Sequence, residues 1–366
     1  MEEKIPMTPV ASSSTTVNET KPQRKLQNTL LPHSTGKHRV DDEIYIYYET
    51  FILPDSQITC EEGPLEMEKV RLVAIQGFAA GADAWQPMLL EMKELWGRQA
   101  DKATVLEVLC IENRGLGKSS SPKKKSQYST TILAGDVLSV MDHVRWGSAH
   151  ICGFSMGGMV ATKLAALAPD RVVSLICMSV TGGGTQALPR SWRAFKFAVK
   201  GLLAKTALDR AYVDIKFHFS KHILRHKLCE LVPPRLVKDV LLEEYRENHE
   251  RVGAQPKEGF RGQLHAVLQH EVTKANIERI KSAGFPVWFL HGRNDIVAMP
   301  MYAEKLARKL GAPCLIFSGG HLVFRENAKE VAFLMRSICT GTSNPNGMLS
   351  KTLRLNVDAT AIPASN

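Results

Sequence analysis

The sequence predicts an α/β fold on a mostly parallel sheet, and three observations predict it. The run Gly153-Phe154-Ser155-Met156-Gly157-Gly158 follows the apolar stretch Ala149–Cys152 and precedes the helix-like stretch Met159–Leu167. Two later apolar runs end in turns that carry chemistry: Pro286–Leu290 leads into Gly292-Arg293-Asn294-Asp295, and Cys314–Phe317 leads into Gly319-Gly320-His321. About 100 residues of helical pattern lie between the strand ending near Val180 and the one starting near Pro286.

The first run has the form of a strand that turns abruptly into a helix with a serine at the bend. Gly153 and Gly157 flank that serine because a Cβ at either place would clash with neighbouring backbone. The helix behind points its free N–H groups at the reacting centre. Serine needs a base, and the base needs an acid to orient it. Strand C-termini share one edge of a parallel sheet, so Ser155, Asp295 and His321 can converge there, in the chain order Ser, Asp, His. His291 also follows a strand, but it precedes the acid. The strand Val172–Val180 ends in Thr181-Gly182-Gly183-Gly184 without a carboxylate, so Asp295 is preferred as the acid.

With these motifs in this order, the chain resembles the α/β-hydrolase superfamily over about residues 39–340. Glu112-Asn113-Arg114-Gly115-Leu116-Gly117-Lys118-Ser119 is similar to that family's Asp-x-Arg-Gly-x-Gly-x-Ser turn, and Ala168-Pro169-Asp170-Arg171-Val172 to its link after the nucleophile helix. Leu72–Phe78 looks like the strand and turn that carry the first oxyanion-hole N–H. The resemblance therefore implies Phe78 and Met156 as backbone donors, each worth on the order of 3 kcal/mol to the transition state. Gln76 stands where the family commonly has His, and Glu112 where it has Asp. Neither change touches the triad.

The implied architecture is a mostly parallel, doubly wound sheet over residues 39–180 and 286–340, with a helical cap at 181–285. The implied chemistry is serine hydrolysis of an ester-like bond, amide and thioester included, in a small and largely apolar substrate, of carboxylesterase or lipase type. An acyltransferase on the same triad, or a ligand sensor with little turnover, is the alternative. Serine as nucleophile argues against the aspartate-based epoxide hydrolases and haloalkane dehalogenases of the family. Neither a cofactor nor a metal is implied.

Within the cap segment, Trp192, Phe195, Val199, Leu202 and Leu203 share one helical face, with Arg193, Lys196 and Lys200 on the other. Arg190–Phe285 holds 19 Lys and Arg against 11 Asp and Glu, so most of the chain's net +10 sits there. A solvated outer face, with the apolar stripe turned inward, is the favoured reading. Contact with an acidic membrane surface is the alternative. No nucleic-acid module is present. His218, His222 and His226 recur at i, i+4, i+8, but no carboxylate completes a metal set, and their apolar neighbours suggest a packed helix. Phe260–Ala266 resembles a cap-exit helix of the family's carboxylesterase, haloperoxidase-like and aminoacrylate-hydrolase-like branch.

Residues 1–38 and 341–366 are polar and rich in breakers and predict disordered tails. The 366-residue chain has 44% hydrophobic residues, no apolar run long enough to span a bilayer and no apolar signal segment, which predicts a cytoplasmic protein. The seven cysteines are scattered, and Cys110, Cys152, Cys177 and Cys314 fall on core strands, as reduced thiols would.

Overall fold

The computed structural model describes residues 29–54, 68–97, 104–229, 233–341 and 357–358. The core strands are β1 (Ser34–Asp41), β2 (Ile44–Leu53), β3 (Glu68–Ile75), β4 (Thr104–Ile111), β5 (Ala149–Phe154) and β6 (Val172–Met178). A two-residue pair in the insertion, β7 (Lys227–Leu228) and β8 (Arg235–Leu236), precedes β9 (Val287–Gly292), β10 (Cys314–Phe317) and β11 (Val357–Asp358). The sheet order is β1-β2-β4-β3-β5-β6-β9-β10-β11. From β4 to β10 every pairing is parallel, while β1, β2 and β11 run antiparallel to their neighbours.

Continuous apolar runs in β3 to β6, β9 and β10 explain the buried parallel centre, because such strands are covered on both faces. Helices α1 (Gln86–Gly97), α2 (Thr130–His143) and α3 (Met156–Leu167) follow the early strands. Next come the insertion helices α4 (Trp192–Leu203), α5 (Ala207–His218), α6 (Lys221–Arg225), α7 (Val237–Val252) and α8 (Lys257–Leu268). The chain closes with α9 (Lys274–Ala283), α10 (Pro300–Leu310), α11 (Val323–Glu326) and α12 (Ala328–Cys339). One face of the sheet buries Met88, Leu89, Met92 and Met335 from α1 and α12; the other buries Val137, Val160, Leu164 and Leu306 from α2, α3 and α10. Among the described residues no helix is long and apolar enough to cross a membrane.

Strands β6 and β9 are direct neighbours, Leu175 opposite Val287, so the insertion leaves and re-enters between adjacent strands. Its last helix does not belong to the cap. Within α9, Ile277 and Ile280 are buried in the core cluster, making it the crossover helix that feeds β9. The cap proper is α4 to α8.

The tail boundaries also move. Strand β1 begins at Ser34, and Leu30 is buried, exchanging two hydrogen bonds with Gln86 (2.9 and 3.0 Å). An edge strand held by backbone pairing, with polar side chains along STGKHRVD, leaves no apolar pattern to read. Within residues 341–366, Val357–Asp358 pairs with Phe317 and Ile316 on the open edge of β10, where unpaired backbone groups accept a further strand. The rest of both expected tails lies outside the described residues.

The cap is where packing departs most from periodicity. The helix expected to carry His218, His222 and His226 breaks at Phe219 and Ser220, and the Ser220 hydroxyl caps α6 by accepting from Ile223 N. Helix α4 turns Ala194, Phe197, Ala198 and Gly201 toward the body of the cap, not its larger apolar stripe. Arg210 of α5 donates to the Gly201 carbonyl. Trp192, Phe195, Leu202 and Leu203 are left outside, contrary to the favoured expectation.

Candidate active site

Ser155 sits between β5 and α3 at φ 52°, ψ −117°, a backbone conformation that a non-glycine residue holds only when its surroundings over-determine it. Those surroundings are close. A Cβ on Gly153 would run into the Gly157 carbonyl, and one on Gly157 into the carbonyls of Ile75 and Gln76 at the end of β3. Ser155 N donates to Met178 O at 2.8 Å, and Ser179 N to Leu290 O at 2.9 Å, so the ends of β5, β6 and β9 are tied in step.

The three residues expected to converge do so. His321 Nε2 lies 3.0 Å from Ser155 Oγ, and His321 Nδ1 lies 2.7 Å from Asp295 Oδ2. An ionised carboxylate only accepts, so Nδ1 carries the proton and donates, which leaves Nε2 as the acceptor facing the serine. Asp295 is fully enclosed. Burial alone would push its carboxyl up, but the charge of His321 and hydrogen bonds from His291 and His321 outweigh it and hold the group well below the ordinary range. Its other oxygen accepts from Val297 N at 2.8 Å and Ala298 N at 2.9 Å. His291 is a partner of the acid and not the base: its Nε2 faces both Asp295 Oδ2 (3.1 Å) and Ala298 O (2.7 Å).

Met156 opens α3 and Phe78 lies in the turn after β3. Among the described residues neither N–H donates to a protein acceptor, so both are free for a ligand oxygen. The Phe78 turn is held from the cap. Gln263 of α8, fully buried, accepts from Ala79 N at 3.0 Å and donates to Arg114 O at 2.9 Å, and the Phe78 and Phe260 rings meet edge to face at 5.0 Å. Glu112 closes its own turn by accepting from Lys118 N at 2.9 Å, and Arg114 forms a buried bidentate pair with Asp136. The Cys152 thiol is buried and pushed well up by desolvation, so it packs the strand and is not a nucleophile.

Four residues escaped the motif reading. His218, the last residue of α5, lies tilted against His321 with ring centres 5.6 Å apart, while Phe154 flanks the same imidazole at 5.0 Å. Burial first, then the neighbouring His321 charge, pushes His218 down to about 4, so it is neutral at neutral pH. Its carbonyl accepts from His321 N at 2.7 Å. Glu326 accepts from Gly320 N (2.8 Å), Ser220 N (2.8 Å) and Ser220 Oγ (2.6 Å), clamping the histidine loop to the cap. Ser179 Oγ donates to His321 O at 2.7 Å. Gln263 is the fourth. Of the four, Glu326 alone lay outside the stretches that the sequence singled out.

Residues 70–328 match the model of the alpha/beta hydrolase fold family. The chain belongs to that family. Among curated relatives it is 25% identical over 236 residues to a provisionally named carbamate hydrolase, RutD, of Caulobacter segnis, covering 64% of this chain and 77% of the relative. It is 33% identical over 105 residues to the 3-oxoadipate enol-lactonase 2 of Acinetobacter baylyi, covering 28% of this chain and 39% of the relative. The second match thus spans well under half of that relative's length. Among solved structures, the enol-lactonase of Burkholderia xenovorans superposes with a TM-score of 0.60 at 20% identity, over 82% of this chain and 99% of that one. That likeness is one of fold.

Proposed function

We propose that this family member is a serine hydrolase that cleaves an ester-like bond of a small, largely apolar substrate through an acyl-enzyme. The observation that carries the reading is the chain Asp295–His321–Ser155, at 2.7 and 3.0 Å, with the serine on a strained elbow. His321 Nε2 takes the Ser155 proton as Oγ bonds to the substrate carbonyl carbon. The carbonyl electrons move onto oxygen, which the N–H groups of Phe78 and Met156 receive. The intermediate collapses, the C–O bond to the alcohol breaks, and His321 returns the proton to that leaving oxygen. Water then repeats the cycle with His321 as base, releasing the acid and restoring Ser155.

The Phe78–Phe260 pair beside the donors suits an apolar acyl group. The names of the relatives also favour hydrolysis, since a lactone is an internal ester. A fluorophosphonate probe tests the reading: it labels the wild type and not Ser155→Ala, and a p-nitrophenyl ester chain-length series then ranks acyl groups. A folded wild type that takes no label and cleaves none of the esters overturns it.

A further inference from the structure

The outward stripe on α4 is large. Trp192 is 78% exposed, Phe195 50%, Leu202 68% and Leu203 71%, and Leu208 on the first turn of α5 is 58% exposed. Single exposed apolar residues are ordinary, but a contiguous group on adjoining helices marks a surface that meets something.

Charge is concentrated on the same helices. Residues 190–227, which hold α4 to α6, contain ten Lys and Arg against two Asp, whereas residues 228–285 hold nine of each sign. The basic excess of the insertion is therefore local to the helices that expose the apolar stripe. Between α4, α5, α6 and α7 lies a cavity of about 390 Å³ ringed by Arg193, Lys216, Lys221, Arg225 and Lys238. Its walls include Phe197, Ile215 and Leu242, and no Asp or Glu lines it. Among the described residues none of the five cations forms an ion pair with a carboxylate. None of the triad residues lines this cavity, so it is not the catalytic pocket.

Exposed aliphatic and indole side chains among unneutralised cations fit one partner best, a surface that is anionic outside and apolar beneath. A second copy of this chain fits poorly, because a two-fold contact would set the same positive face against itself. We propose that the α4–α6 face of the cap docks on an anionic phospholipid bilayer. Trp192, Phe195, Leu202 and Leu203 enter the headgroup–acyl boundary, Lys196 and Lys200 contact lipid phosphates, and the cation-ringed cavity receives a headgroup phosphate. Helix α5 bears Lys216 on this cavity and His218 against His321, so the docked face is one helix away from the candidate site. The docking stands on the cap alone and does not depend on the hydrolase reading.

The test uses the full chain with large unilamellar vesicles of phosphatidylglycerol and phosphatidylcholine, beside vesicles of phosphatidylcholine alone. Of the five tryptophans, Trp85, Trp96, Trp146 and Trp288 are buried, so an emission shift on binding reports on Trp192. The expected result is co-sedimentation with the anionic vesicles only, weakening as salt rises, with a blue shift that Trp192→Phe abolishes. Leu202→Ser with Leu203→Ser, and separately Lys196→Glu with Lys200→Glu, each lower anionic-vesicle binding tenfold or more. The circular dichroism of these variants matches the wild type, because the changed side chains are exposed. Absence of sedimentation with anionic vesicles at low salt overturns the proposal, as does equal binding to both vesicle types. Self-association in sedimentation velocity that the leucine pair abolishes, without vesicle binding, assigns the face to a second copy and also overturns it.

Discussion

The serine elbow and the α4 face contain similar side chains put to opposite uses. At the elbow, Phe154, Met156 and Ile75 are buried, and each glycine is required because backbone from another element lies where its Cβ would be. On α4, Trp192 and Phe195 stack on each other at 5.7 Å in solvent while the small residues of the helix face inward. In the first region local backbone geometry dictates the residues. In the second, composition and period are equally clear, but the direction of packing is decided by neighbours. The difference shows that a motif tied to backbone shape is more legible than an amphipathic stripe, which has two sides and does not say which one is covered.

Breaking the geometry-bound region should give the largest effect. Asp295→Asn keeps an acceptor for Val297 N and Ala298 N but presents an amide to His321 Nδ1, favouring the wrong tautomer. Ester turnover is expected to fall on the order of 10⁴-fold in kcat, with little change in KM, in steady-state kinetics. Next in size is the core itself. Phe289 of β9 is fully buried between β6 and β10, and Phe289→Ala should lower unfolding free energy by about 3–5 kcal/mol in urea titration.

An intermediate effect comes from pH. Burial pushes His150 down to about 4 and His270 down to about 3, so both are folded in neutral form. Between pH 6.5 and those values the unfolded chain binds the extra protons, so stability is present above about 6.5 and is lost as pH falls. The slope is about 1.4 kcal/mol per pH unit for each histidine across its window. His150→Asn keeps a partner for Ser174 Oγ but does not titrate, and thermal melts from pH 7 to 4.5 should show a shallower decline than wild type.

The smallest effect sharpens the contrast with Phe289. Trp192→Ala removes the largest side chain type from an exposed position and should change stability by no more than about 0.5 kcal/mol in the same urea titration. A loss approaching that of Phe289→Ala would mean that α4 packs its stripe inward after all.

Much of the fold was readable where each rule is local. The elbow, the turn at Asp295 and the turn at His321 are each a strand end followed by a characteristic bend, and the structure sets all three on one sheet edge. Strand β1 was not readable because its pairing uses backbone and its side chains are polar. The assignment of α9 to the cap failed because Ile277 and Ile280 look the same whether they face a cap or α3. Glu326 had no signal at all. Its three acceptor contacts unite the His321 loop with Ser220, which is 106 residues away in the chain.

By itself, then, the sequence determined the order and type of the chemical groups and the strand–turn–helix shapes that expose them. Gly153 and the positive φ of Ser155 are steric requirements that act over a few residues, whereas Gly157 is required by the end of β3. Only the tertiary structure decided what covers His321, what clamps its loop, and which face of α4 looks outward. Those outcomes depend on contacts between segments far apart in the chain, where burial and hydrogen bonding are won by whichever partner the fold brings near.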